Sequence, residues 1–192
     1  MKALCQAIEE ATGTPTQYLC ASPVGGGCIN DAQSVETSSG TYFVKRNQPG
    51  FLNAFEAESL ALAEMAQTQT LRVPRPLCHG TAEGQSYLVL EHIDMGPARA
   101  HSQAEAGRQL AALHRTLGKN FGWQRDNTIG ATHQPNPFTY SWVEFYREHR
   151  LRFQFDLAAS GGQTFHNAER LLKRIGDFFE GYQPEPSILH GD

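Results

Sequence analysis

Gly25, Gly26 and Gly27 stand in a row before Cys28 and Ile29, and a polar turn later the chain runs Thr41-Tyr42-Phe43-Val44-Lys45. Glycine tolerates φ > 0 and lets the backbone approach a ligand, while the β-branched and aromatic run reads as a strand delivering one lysine. Those are the parts needed to cover and clamp a phosphate. No Gly-Lys-Ser/Thr follows the glycines, which excludes a Walker loop, and no G-x-G-x-x-G opens a helix, which excludes a dinucleotide-binding unit. What remains is a glycine-rich hairpin over a triphosphate with the lysine on the next strand. Such a lysine needs a carboxylate to orient it. The predicted helix that starts near Asn53, with Glu56 in capping-box spacing, puts Phe55, Glu58, Leu62 and Met65 on one stripe. A carboxylate in an apolar seam is costly unless paired, and Lys45 is the cation at hand. The other reading places Glu58 at the edge of the stripe, in reach of water.

A second constellation closes the chain. Ser187-Ile188-Leu189-His190-Gly191-Asp192 is a short apolar strand ending in His-Gly-Asp, and a carboxylate there could take the proton of an attacking hydroxyl. Cys5, Cys20, Cys28 and Cys78 show no C-x-x-C and no ligand spacing, so they read as reduced thiols and no residue is assigned to a metal. Cys28 is either a small side chain that fits the glycine turn or a thiol open to oxidants. His114 shares a helix face with Gly107, Leu110 and Ala111. It reads as a satisfied core histidine that positions a loop, not as a catalyst.

The elements that must hold these groups follow from periodicity. Leu4, Ala7, Ile8 and Ala11 make a short amphipathic helix stopped by Gly13 and Pro15. Strands over 18–23, 29–36 and 41–45 form an antiparallel meander, Arg72 to Pro76 is an extended connector, and Ser86 to Ile93 is a further strand. A lobe boundary is expected at Asp94, with an N-lobe over 1–93 and a helical C-lobe over 94–192. In the C-lobe, Ser102 and Glu105 cap one helix, Ser141 and Glu144 a second, and Leu171 to Phe179 lie on a third. Between the first two, 118–139 dissolves into a long loop of Asn, Gly, Pro and aromatic residues. The fold class is α+β.

Forty per cent of the residues are apolar and 19% charged, and the net charge is −4. That balance gives no basic footprint for nucleic acid and no support for a membrane surface. A cytoplasmic location is the expectation.

Taken together, Gly25-Gly26-Gly27-Cys28-Ile29, Phe43-Val44-Lys45, Phe55-Glu56-Ala57-Glu58, Val73-Pro74-Arg75-Pro76, Leu110 to His114, Phe121-Gly122, Asp126 to Gly130, Gln134 to Pro137 and Leu189 to Asp192 resemble the fructosamine (ketosamine-3-) kinases. The resemblance runs over essentially the whole chain, and the Asp126 to Pro137 region points to this family in particular. It implies a protein-kinase-like two-lobed fold, with an antiparallel sheet in the N-lobe and a truncated, mainly helical C-lobe. It also implies ATP-dependent phosphorylation of a sugar hydroxyl on a ketoamine, free or protein-bound. Gly25 to Ile29 would cover the phosphates, Lys45 would hold them, Glu58 would orient Lys45, and Leu90, Glu91 and Ile93 would receive adenine. Asp192 would be the base. The ligands for Mg2+ are expected beyond residue 192, so the chain alone is expected to be inactive, and a redox-dependent dimer through Cys28 is implied. A related aminoglycoside- or choline-type phosphotransferase, or a nucleotide-binding fragment without activity, are the alternatives.

Overall fold

The computed structural model describes residues 1–25, 29–97 and 100–190, which divide into two compact units, 1–113 and 114–192. No helix among the described residues is long and apolar enough to cross a membrane.

The first unit is built on one five-stranded antiparallel sheet. Its strands are β1 (Tyr18–Pro23), β2 (Asp31–Thr37), β3 (Gly40–Asn47), β4 (Pro76–Ala82) and β5 (Gln85–Glu91), in the order β1-β2-β3-β5-β4. Successive side chains of a strand point to opposite faces, so each strand supplies both faces of the sheet. On one face Val35, Tyr42, Val44, Tyr87 and Val89 pack with Leu4 and Ile8 of helix α1 (Lys2–Thr12). On the other, Leu88 and Leu90 pack with Phe55 of helix α2 (Leu52–Gln67), flanked by Phe43 and Leu62. Full burial of such side chains is worth about 1.5–3 kcal/mol each. The sheet is thus clamped from both sides.

Two expectations change here. Asn53 does not cap α2: a 3-10 turn over Pro49–Phe51, with proline in its first turn, starts the rotation and runs straight into Leu52. Proline pre-sets the φ of a first helical turn, so the helix needs no polar cap at Asn53. The connector that ends at Pro76 leads directly into β4, a strand missing from the sequence reading. It is paired along β5 from Pro76–Leu90 to Ala82–Gln85.

In the second unit the long loop is ordered by pairing. Phe121 and Thr139 exchange both backbone hydrogen bonds at 2.9 Å, and the Trp123 amide donates to the Asn136 carbonyl at 2.9 Å. Inside this closure, β6 (Asn127–Ile129) and β7 (Thr132–Gln134) form a hairpin where only loop was expected. Helix α3 (Ser102–His114) precedes the loop, and its buried residue is Leu113, whereas Gly107 is exposed. After the loop come α4 (Trp142–Tyr146), a π-helical segment over Arg147–Arg152, and α5 (Phe153–Ser160). Ser141 caps α4 as expected, its Oγ accepting from the Glu144 amide at 3.3 Å. Helix α6 (Ala168–Arg174) follows and ends in a 3-10 turn over Ile175–Phe179.

Gly122 is what lets the loop close. Its φ is +104°, and a Cβ would strike the Pro137 carbonyl oxygen and lie 2.9 Å from that of Asn136. Gly162 has a comparable φ of +79° with open space around it. Gly122→Ala is therefore expected to cost more than the roughly 1–3 kcal/mol of backbone strain that Gly162→Ala would also bear. Thermal melts of both variants read the difference, and equal losses in Tm would show that the closure is not tight at Gly122.

Candidate functional site

Lys45 reaches its place through the alternation of β3. Val44 points to the α1 face, so Lys45, like Phe43, points to the α2 face, opposite Leu88 of β5 and Ala32 of β2. There its Nζ donates to Glu58 Oε1 at 2.6 Å, and both side chains are mostly covered, at 25% and 30% exposure. Glu58 is thus paired, not reaching out to water alone. A partly exposed ion pair contributes on the order of 1 kcal/mol or less to stability. Its value lies in fixing a cation at one point.

The turn before β2 is fastened at both ends. The Val24 amide donates to the Ala32 carbonyl at 2.8 Å, and Asn47 Nδ2 donates to the Ile29 carbonyl at 3.0 Å and to Asn30 Oδ1 at 2.8 Å. Asn47 sits two residues beyond Lys45 on β3, so one strand holds both the lysine and the return of the turn. Gly25 is exposed with open space where a Cβ would sit, and Ile29 is exposed as well. Gly26, Gly27 and Cys28 lie outside the described residues.

At the far end of β5, Leu90 is buried in the α2-side cluster. The Glu91 amide donates to the Arg75 carbonyl at 2.8 Å. That donor is committed, so the Glu91 amide is not open to the adenine contact that the resemblance implies. The Glu91 carboxylate is itself gripped, by the Arg72 guanidinium at 2.9 Å and the Arg75 amide at 3.2 Å. The hydrogen bond from Arg72, then that from Arg75, holds the Glu91 carboxyl below the usual carboxylate range. Ile93 follows in the half-buried stretch after the strand.

In the second unit, the run toward His190 is paired with the residues after α3. The Gly118 amide donates to the Pro186 carbonyl at 2.9 Å, Leu117 faces Ser187 in an antiparallel bridge, and the Ile188 amide donates to the Thr116 carbonyl at 3.1 Å. Counting on by two residues brings His190 opposite His114, and their rings lie nearly parallel, 5.4 Å apart with 9° between planes. His114 is not the satisfied core histidine that was expected. Its Nε2 is buried and has no hydrogen-bond partner among the described residues, a condition that costs about 1–3 kcal/mol. Asp192 lies outside the described residues.

The long loop carries a clamp that the sequence reading did not find. Asn136 is buried; its amide donates to Asp126 Oδ1 at 2.8 Å, and its Nδ2 donates to the Arg125 carbonyl at 3.1 Å and Asn127 Oδ1 at 2.8 Å. Its Oδ1 accepts from Arg150 at 2.6 Å, and the same guanidinium donates to the Pro135 carbonyl at 2.7 Å. Arg150 rises from the π-helical segment and lies 4.4 Å above the Phe145 ring. Such π-helical segments are frequent at functional sites. Each of these polar groups is used, so the loop is held as a preformed surface. A hint was available in Asp126, Asn127 and Asn136 recurring around a turn, but nothing in a linear pattern ties them to Arg150.

No group of three or more His, Cys, Asp or Glu residues able to hold a metal occurs among the described residues.

The whole chain, residues 1–192, matches the family described as fructosamine kinase. It is 44% identical over 190 residues to a "probable ketoamine kinase" of Synechocystis, covering 98% of this chain and 64% of that protein. It is 41% identical over 188 residues to a chloroplastic protein-ribulosamine 3-kinase of Arabidopsis thaliana, covering 94% and 57%. Among solved structures, a Haemophilus somnus protein described as a "putative fructosamine-3-kinase" superposes with a TM-score of 0.86 at 26% identity, over 96% of this chain and 63% of that one. The chain thus spans somewhat under two thirds of the length of these relatives. The likeness establishes the expected kinase-like α+β fold.

The grip on Glu91 is open to a direct test. Arg72→Ala should move the Glu91 carboxyl upward toward its ordinary value, read by NMR titration of its side-chain carbon. Because the folded-state value lies below the unfolded one, the stability this grip contributes is present above the unfolded value and is lost as pH falls through the folded value. The gap in stability between the parent and Arg72→Ala should therefore close in acid. A Glu91 titration unmoved by the substitution would remove Arg72 as its cause.

Proposed function

The chain belongs to the fructosamine kinase family, and on that footing we propose that the complete gene product transfers the γ-phosphoryl group of ATP to a sugar hydroxyl of a ketoamine. The observation that carries this reading is the 2.6 Å contact between Lys45 on the strand after the glycine turn and Glu58 on α2. A lysine fixed by a carboxylate beside a glycine-rich turn suits the phosphates of a nucleotide.

In this reading Gly25 to Ile29 cover the phosphates and Lys45 neutralises them. The Glu91 carbonyl and the backbone of Ile93 meet the adenine edge over Leu90. Asp192 accepts the proton of the acceptor hydroxyl as its oxygen bonds to the γ-phosphorus and the bond to ADP breaks. Mg2+, when bound, supplies further charge neutralisation. In this reading the nucleotide is held by an N-lobe over 1–93 and the acceptor by a C-lobe over 94–192, a functional division that differs from the compact units, which part between Leu113 and His114. The names of the relatives, ketoamine kinase and protein-ribulosamine 3-kinase, support a fructosyl- or ribulosyl-lysine as acceptor, and with it a role in repairing glycated amines in the cytoplasm.

The test is ATP consumption by the complete gene product against fructosyl-lysine, ribulosyl-lysine, an aminoglycoside and choline. Turnover is expected with a ketoamine and not with the others. Lys45→Met should cut kcat by about 10²-fold or more while the fold is kept, as loss of one preorganised charge contact to the reacting group does. Undiminished transfer by that variant would end the assignment of Lys45.

A further inference from the structure

Glu91 and Arg75 form an incomplete pair at the end of the sheet. The register of β4 against β5 sets Pro76 opposite Leu90, so one step outward Arg75 lies opposite Glu91. In a regular antiparallel pair of this kind the two residues exchange both backbone hydrogen bonds. Here the Glu91 amide donates to the Arg75 carbonyl at 2.8 Å, but between these two described residues no return bond runs from the Arg75 amide to the Glu91 carbonyl. The Arg75 amide donates instead to Glu91 Oε2, at 3.2 Å. The other carboxylate oxygen, Oε1, accepts from the Arg72 guanidinium at 2.9 Å. On the opposite side Tyr42 of β3 faces Glu91, and a residue that bonds toward β4 makes a non-hydrogen-bonded pair there. One side chain thus takes the donor that the sheet would otherwise give to the carbonyl of the same residue.

We propose that the Glu91 side chain determines nucleobase specificity: by capturing the Arg75 amide, with Arg72 holding it in place, it keeps the Glu91 carbonyl open as an acceptor for the exocyclic amino group of adenine. This rests on the reading that sets a nucleotide against Leu90, Glu91 and Ile93. A purine with an oxo group in place of that amino group meets the carbonyl oxygen to oxygen and is rejected. Were the Arg75 amide returned to the carbonyl, the oxygen would be drawn toward the connector and the distinction between amino and oxo would weaken. Arg72 and Glu91 are 68% and 37% exposed, so their ion pair adds little to stability. Selectivity is what it can change.

ATP and ITP differ by this one exchange of amino for oxo, and calorimetric affinities of the complete gene product for both need no turnover. The parent should favour ATP by about tenfold or more, and Glu91→Ala, which releases the Arg75 amide, should lower that preference by about five- to tenfold, the weight of one hydrogen bond. Glu91→Gln keeps an oxygen that can accept from the Arg75 amide, and should keep most of the preference. A role in packing or in net charge would not give that rescue. Equal affinity of the parent for ATP and ITP overturns the proposal, as does an undiminished preference in Glu91→Ala or a folded Glu91→Gln as unselective as Glu91→Ala. A parent that binds neither nucleotide ends the nucleotide reading and the proposal with it. A parent that binds ATP but phosphorylates no ketoamine ends the acceptor reading alone, and the affinity ratios still decide the role of Glu91.

Discussion

The alternation of side chains along β3 is the constraint on which the first unit depends. Tyr42 and Val44 must enter the α1-side core, which obliges Phe43 and Lys45 to face α2. A lysine on a buried face is tolerable only with a partner, and α2 places Glu58 within 2.6 Å of it. Moving β3 by one residue would turn Val44 to the α2 face and drive Lys45 into the α1-side core. The apolar packing therefore fixes the register, and the register fixes the charge. The direction matters energetically: the core residues contribute far more than the ion pair, so the pair is held by the sheet and does not hold it.

The second unit achieves order by other means. Phe145, Leu172 and Ile175 are buried there, but the loop over 121–139 is fixed chiefly by polar contacts centred on Asn136 and Arg150. Hydrogen bonds, unlike apolar contacts, are directional, so a loop held in this way has a defined shape without a core of its own. The loop is rooted at Phe121 and Thr139, three residues beyond the end of the 116–118 pairing with the His190 segment. The two pairings thus share a short stretch of chain.

The sequence disclosed what depends on local pattern or on residue chemistry. The β1 boundaries, the Ser141 cap and the Lys45–Glu58 pair were all legible, the last because a carboxylate in an apolar seam announces its need for a cation. Other features were not legible, for reasons that differ. Strand β4 was hidden by Pro76 at its start and by His79 and Gly80 within it, which break the expected alternation, although pairing along β5 overrides that weak local signal. Hairpin β6–β7 is only three residues on each side, too short for any period to register. The Asn53 cap was misplaced because the preceding 3-10 turn begins the helix from outside.

The unit that carries the Asn136 clamp also shows why polar residues resist linear reading. Arg150 looks like one of several surface cations of a helix, yet it is half-buried, aimed at the Asn136 side chain and stacked on Phe145. It leaves the chain from the π-helical segment over Arg147–Arg152. His114 is subject to the same limit from the other side. Gly107 on its expected face is exposed although His114 Nε2 is buried, and whether such a histidine is satisfied depends on atoms far away in sequence, here those that follow from pairing 116–118 with 186–188. Burial can be inferred from a period; satisfaction of a buried polar atom is a property of the assembled fold.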